Sequence, residues 1–201
     1  MSRFIVIEGL DGAGTTTQLA RATARLRGLG HDVLATHEPT DGPVGRVIRQ
    51  SLRGEPGAPA VSTLPWLFAA DRADHLQRTV EPALVARTWV LTDRYLHSSL
   101  AYQSLELPLE QVWGLNRTFR VPDLTVWVQL DVDTCLARIG SRAGTREVFE
   151  RRDTLLAVAE RYARVMAFLG ERGHPIVHVD GSGSIEQVEG AIWEHVGPLV
   201  G

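Results

Sequence analysis

The sequence predicts an α/β protein built on an open parallel sheet. Three observations carry this. Five short apolar runs, FIVIEG (4–9), DVLATHE (32–38), TWVLTD (88–93), LTVWVQLDV (124–132) and PIVHVD (175–180), are rich in β-branched residues and lack clear alternation, as strands buried on both faces do. Longer helix-like segments separate them. A glycine-rich stretch, GLDGAGTTTQ (9–18), joins the first run to the first helical segment, and ligands of such sheets gather at the carboxyl ends of their strands.

The helical segments are 15–29, about 43–53, 64–87, 109–120, 134–140, 150–171 and 184–196. In 150–171, Leu155, Val158, Ala159, Tyr162, Val165, Met166 and Leu169 recur at three- and four-residue spacing, an apolar stripe for one helix face. Pro82 lies inside the 64–87 pattern and is expected to kink or divide it. No internal repeat occurs. GEPGAPAVS (54–62) and GSRAGTRE (140–147) are the least regular stretches, and neither is long enough to be a domain linker. With 201 residues, 44% of them hydrophobic, the chain suits one globular domain over 1–201.

Composition also excludes functions. A net charge of -3 gives no overall basic field for nucleic acid or acidic membranes. No apolar run reaches the roughly 20 residues that cross a bilayer. The N-terminal MSRFIVIEGL enters a strand-like run at once, without a signal-peptide layout, and a cytoplasmic location is expected. The single cysteine, Cys135, rules out an intrachain disulfide framework and is expected to pack as a small hydrophobe. The histidines show no metal-ligand spacing.

In the loop, Gly9, Gly12 and Gly14 let successive N–H groups converge on phosphate oxygens, with Asp11, Ala13 and Thr17 completing the turn into the helix. Thr16 stands where a hydroxyl ligand for magnesium belongs. Thr15 stands where such loops carry lysine. All 21 basic residues are arginine, but a lineage bias toward arginine would have put arginine at position 15. A ligand-free strand-to-helix turn is the alternative reading of the loop alone.

LFAADRADHL (67–76), DRYLHSSLAYQ (93–103), PDLTVWVQLDV (122–132) and VDGSGSIEQV (179–188) follow the loop in order. Together the five segments resemble the bacterial thymidylate kinases along nearly the whole chain. The resemblance implies a P-loop NTPase-type five-stranded parallel sheet with a short lid. It also implies transfer of the γ-phosphoryl group of ATP to dTMP, a requirement for Mg²⁺ and a homodimer. For the acceptor it implies that Phe68 stacks on thymine, that Arg72 bonds the edge of the base and that Asp11 reaches the sugar hydroxyl. Ser98, Ser99, Tyr102 and Gln103 match the segment lining the nucleoside pocket. For the two serines, an ordinary helix N-cap stands beside ligand contact. Glu38-Pro39 matches an Arg-Glu-Pro motif whose arginine is His37 here.

For the chemistry, Asp93 ends a buried strand where a carboxylate organises magnesium, and Arg94 is set to hold the acceptor phosphate or the transferring group. A structural Asp–Arg pair closing the strand is the bland alternative. On the donor side, Arg138 resembles an arginine covering adenine, and Gly181 and Ser182 resemble the loop on its other face. The lid position falls at about 140–152, where Val148 replaces the arginine of an Asp-Arg-Phe-Glu motif. Arg142, Arg146 and Arg151 are candidates to supply the missing positive charge, since phosphoryl transfer depends on positioning and charge neutralisation rather than on one sequence position. The remaining alternatives are a nucleotide-binding relative with little turnover and a kinase for another nucleoside monophosphate.

Overall fold

The computed structural model describes residues 2–140, 149 and 151–200. Five parallel strands form one sheet in the order β2-β3-β1-β4-β5: β1 (Phe4–Gly9), β2 (Val33–His37), β3 (Trp89–Asp93), β4 (Leu124–Gln129) and β5 (Ile176–Asp180). Each falls within a predicted apolar run. The central β1 and β3 are buried along their whole length, which is why their sequences do not alternate.

Register sets the site. Ile7 pairs with Asp93, His37 with Asp93, and Gly9 with Val128, so the strand ends lie level. The chain moves from β1 to one side of the sheet for β2 and β3, then crosses to β4 on the other. The loop after β1 therefore opens at the switch point of the topology, where a parallel sheet leaves a crevice.

Among the described residues the helices are α1 (Thr15–Gly28), α2 (Pro43–Leu52), α3 (Leu64–His75), α4 (Glu81–Val85), α5 (Leu96–Gln103), α6 (Leu109–Asn116), α7 (Val132–Gly140), α8 (Arg152–Gly170) and α9 (Ile185–Val196). The predicted 64–87 segment is divided: a π turn over Leu76–Val80 separates α3 from α4, whose second residue is Pro82. α8 buries Leu155, Val158, Tyr162, Val165, Met166 and Leu169, the stripe read from its sequence. Each such side chain contributes about 1.5–3 kcal/mol on leaving water. Ser184 and Gln187 close a capping box at the start of α9.

One helix, α5, lies outside the predicted helical segments. All eight residues of α5 are buried, so LHSSLAYQ carries no polar face and no periodic stripe to reveal it. No helix among the described residues is long and apolar enough to cross a membrane.

Candidate active site

The turn from β1 into α1 is shaped by glycine. Gly14, at φ 94° and ψ 13°, is the N-cap of α1 in a left-handed conformation that glycine adopts without strain. A Cβ on Gly9 would meet the Val128 carbonyl oxygen at 2.8 Å, so the last residue of β1 must also be small. Thr15 is the first residue of α1 and is buried, its Cγ2 turned toward Gly9. It brings an N–H to the helix terminus but no charge.

Thr16 Oγ1 donates to Asp93 Oδ2 at 2.5 Å, tying the start of α1 to the end of β3. Asp93 is buried, and its other oxygen, Oδ1, has no hydrogen-bond partner among the described residues. A carboxylate oxygen left in this way beside a hydroxyl fits a hard divalent cation that takes its other ligands from water and phosphate. No group of three His, Cys, Asp or Glu side chains is arranged as a cation cage among the described residues. Thr16, Asp93, Arg94, His37 and Glu38 border one cleft at the ends of β2 and β3.

Arg94 follows directly, at φ 70°, a conformation that is uncommon for a residue with a Cβ and stores strain. The backbone twist aims its side chain back at the loop. Nη2 donates to Asp11 Oδ1 at 2.7 Å and Nη1 to Ser98 Oγ at 3.0 Å, and the guanidinium lies over the Tyr102 ring. Burial would lower its pKa, but Asp11 and further anionic neighbours outweigh that and hold it above the ordinary arginine value. The ten residues read as acceptor contacts line one cleft. Asp11, Glu38, Pro39, Phe68 and Arg72 come from two loops and α3; Arg94, Ser98, Ser99, Tyr102 and Gln103 come from the β3 end and α5.

The N-cap reading of the serines is overturned. Tyr95 is the N-cap of α5, and Ser98 and Ser99 lie within the helix. Ser98 Oγ donates to Glu8 Oε2 at 2.6 Å, while Ser99 Oγ accepts from Arg72 Nη2 at 2.9 Å. The acceptor for the start of α5 is Glu8, a fully buried carboxylate that sequence reasoning missed. Its Oε1 takes the Tyr95 N–H at 2.8 Å and the Ser98 N–H at 3.2 Å, and Tyr162 Oη reaches Oε2 at 3.0 Å. Burial raises the Glu8 pKa, while the Arg94 charge and these donors pull it down. A charged residue inside the apolar run FIVIEG was the signal available.

A second buried network fixes the opposite wall. Arg72 Nη2 forms an ion pair with Glu38 Oε2 at 2.7 Å, and Nη1 donates to Asn116 Oδ1. Glu38 Oε1 meets His75 Nδ1 at 3.0 Å, and His75 Nε2 meets Thr36 Oγ1 at 2.8 Å. Asp71, also buried, accepts the Thr40 N–H at 2.7 Å and the Thr40 hydroxyl at 2.6 Å. One helix, α3, thus holds the loop after β2 through Asp71, Arg72 and His75. His37 itself is exposed, with Nε2 3.1 Å from Arg49 Nη2. Leu52, Tyr95 and Phe149 complete the acceptor cleft and were not anticipated; Phe149 packs edge-on to Tyr102.

A further cleft lies beside the phosphate loop, bordered by Gly12, Ala13, Gly14 and Thr17, by Arg138 on α7, and by Gly181, Gly183 and Ser184 after β5. Ser182 turns away from it: its hydroxyl and N–H both bond the Asp180 carboxylate at 2.9 Å. Of the lid candidates, Arg142 and Arg146 lie outside the described residues. Arg151 is the exposed N-cap of α8 and borders neither the acceptor cleft nor the loop cleft.

The family model for thymidylate kinase matches residues 7–192. A protein of Methanococcus aeolicus named "Probable thymidylate kinase" is 32% identical over 192 residues, 94% of this chain and 92% of its own. The thymidylate kinase of Ruegeria pomeroyi is 36% identical, over 96% of this chain and 93% of its own. That of a Synechococcus strain is 37% identical, over 86% and 87%.

Proposed function

This chain belongs to the thymidylate kinase family, and on that premise we propose that it phosphorylates dTMP to dTDP with ATP as donor and Mg²⁺ as cofactor. The observation that carries the reading is the single cleft bordered by Asp11, Phe68, Arg72, Arg94, Tyr102 and Gln103, which opens beside the Thr16–Asp93 pair.

In this reading an oxygen of the dTMP phosphate attacks the γ-phosphorus of ATP, the bond from that phosphorus to the β–γ bridging oxygen breaks, and ADP leaves. No general base is required, because the attacking phosphate is already ionised at neutral pH. Arg94 neutralises charge on the acceptor phosphate and the transferring group, held by Asp11 and Ser98 in the orientation it needs. Phe68, half-buried against Ile48, Leu52 and Leu64, offers its ring to the base. Arg72 binds the edge of the base from a guanidinium fixed by Glu38, Ser99 and Asn116. Asp11 and Tyr102 meet the sugar. Thr16 and Asp93 would hold magnesium, which when bound neutralises charge on the donor phosphates. Gly181 lines the donor base, with Ser182 turned aside to Asp180, and Arg142, Arg146 or Arg151 supplies further positive charge to the phosphates.

The same reading carries a homodimer, to which Trp66, 48% exposed on α3, offers apolar surface; sedimentation equilibrium tests it. The activity is tested by steady-state dTDP formation from ATP and dTMP with Mg²⁺, on this chain and on Thr15→Lys. Turnover by the unmodified chain is expected. Binding of dTMP without turnover, with activity in Thr15→Lys, identifies a binding protein instead. Faster turnover with dUMP or dCMP identifies a different acceptor.

A further inference from the structure

Among the described residues, Arg138 is the one cation bordering the cleft beside the phosphate loop. Backbone packing puts it there. Gly12 lies at φ +86°, and a Cβ on it would meet the Cys135 carbonyl oxygen at 2.5 Å, so glycine at this position lets α7 rest directly on the loop. Cys135 and Arg138 are three residues apart on that helix and share a face. Arg138 is therefore carried to the loop by the same contact: its Nη1 lies 3.5 Å from the carbonyl oxygens of Gly12 and of Ala13.

Thr15, meanwhile, is neutral and buried, its methyl turned toward Gly9. We propose that Arg138 is the cation of the donor-phosphate cradle, binding the phosphate chain of the nucleoside triphosphate in place of a lysine at position 15. This differs from the adenine-covering role that the sequence resemblance implies for it. A guanidinium is permanently charged and matches phosphate oxygens in a fork, and a helix seated on the loop holds it in place before the ligand arrives. The proposal rests on the preceding reading only in taking a nucleoside triphosphate as the donor.

The test is calorimetric binding of ATP and AMP, each with Mg²⁺ and no acceptor, to the full chain, to Arg138→Ala and to the double variant Thr15→Lys/Arg138→Ala. Arg138→Gln, which keeps most of the stem, serves if the alanine variant fails to fold. We expect the loss of Arg138 to weaken ATP about tenfold or more and AMP less than about threefold, and Thr15→Lys to recover the ATP affinity. An equal loss for ATP and AMP, no loss for ATP, or a selective loss that Thr15→Lys does not recover overturns the proposal. Because no acceptor is present, failure of dTMP turnover leaves this result standing, and failure here leaves the dTMP reading standing.

Discussion

Arg94 Nη2 lies 2.7 Å from Asp11 Oδ1, so the residue after β3 is ion-paired to the loop after β1. The other Asp11 oxygen accepts from Tyr102 Oη at 2.9 Å. Burial holds the Tyr102 phenol well above its ordinary value, and the group stays a donor across the working pH range. Three elements that converge on the acceptor cleft are thereby locked through one carboxylate.

Removing the hydroxyl loosens that lock without touching the charges. Tyr102→Phe is expected to raise KM for dTMP about tenfold, the worth of one hydrogen bond to a charged group, and to leave kcat within about threefold. Steady-state kinetics with dTMP varied at saturating ATP reads both. An unchanged KM contradicts the role given to Asp11.

The buried Asp93 Oδ1 has a different prediction. Asp93→Asn keeps the shape of the Thr16 contact but removes the charge facing the cation. Turnover is expected to fall by roughly 10²–10³, with a higher Mg²⁺ concentration needed for half-maximal rate. A rate titration with Mg²⁺ decides it, and a variant with the same Mg²⁺ midpoint as the parent argues against Asp93 as a ligand.

Glu38 is predicted to matter for folding as well as for the site. Its carboxylate lies between Arg72 and His75, and the Arg72 and Glu38 side chains are both at most 2% exposed. Glu38→Ala leaves a guanidinium buried without its counter-charge, which costs about 3–5 kcal/mol. Urea unfolding measures this directly; a loss under about 1 kcal/mol would mean that the pair is not a stability element.

His97 and His174 give the pH dependence. Both are buried, their rings stand edge-on with centroids 5.9 Å apart, and His97 Nε2 bonds Thr125 Oγ1 at 3.2 Å. Glu8, with Oε1 3.7 Å from His97 Nδ1, and Arg72 are the other charged groups near His97. Burial lowers the His97 pKa well below 6.5, helped by His174 and Arg72, and burial also lowers that of His174. The unfolded chain then binds protons that the folded chain refuses. Stability is full above the unfolded value and falls as pH drops below it, by about 1.4 kcal/mol per pH unit for each histidine until its folded pKa is reached. Denaturant unfolding between pH 7 and pH 5 should show this slope, reduced by one proton's worth in His97→Gln. Parallel curves for parent and variant would count against it.

The sheet was legible because strands buried on both faces need continuous apolar runs, and the stripe of α8 because only one of its faces meets the core. α5 was illegible for the opposite reason: a short helix enclosed on every side has no polar face, and His97, Ser98, Ser99 and Gln103 made its sequence resemble a loop. The π turn at Leu76–Val80 was hidden because it continues the helical pattern, with only Pro82 to mark the break. In the site, the residues that line the acceptor cleft stood out as a family pattern. Glu8, Asp71, His75 and Asn116 did not, since they act through other side chains and sit in segments that read as ordinary strand or helix.

The burial of α5 has a consequence for how this pocket can change. Five of its eight side chains are polar or phenolic, yet all eight are enclosed, so the wall that would discriminate between acceptors is also part of the protein's interior. An acceptor that fills the cleft adds contacts to that interior and should raise the melting temperature by an amount that grows with the logarithm of its affinity. Mutations that reshape α5 for another acceptor pay in folding before they gain in recognition. Routes to new specificity therefore run first through Phe68, on α3 rather than α5, whose ring is only partly buried.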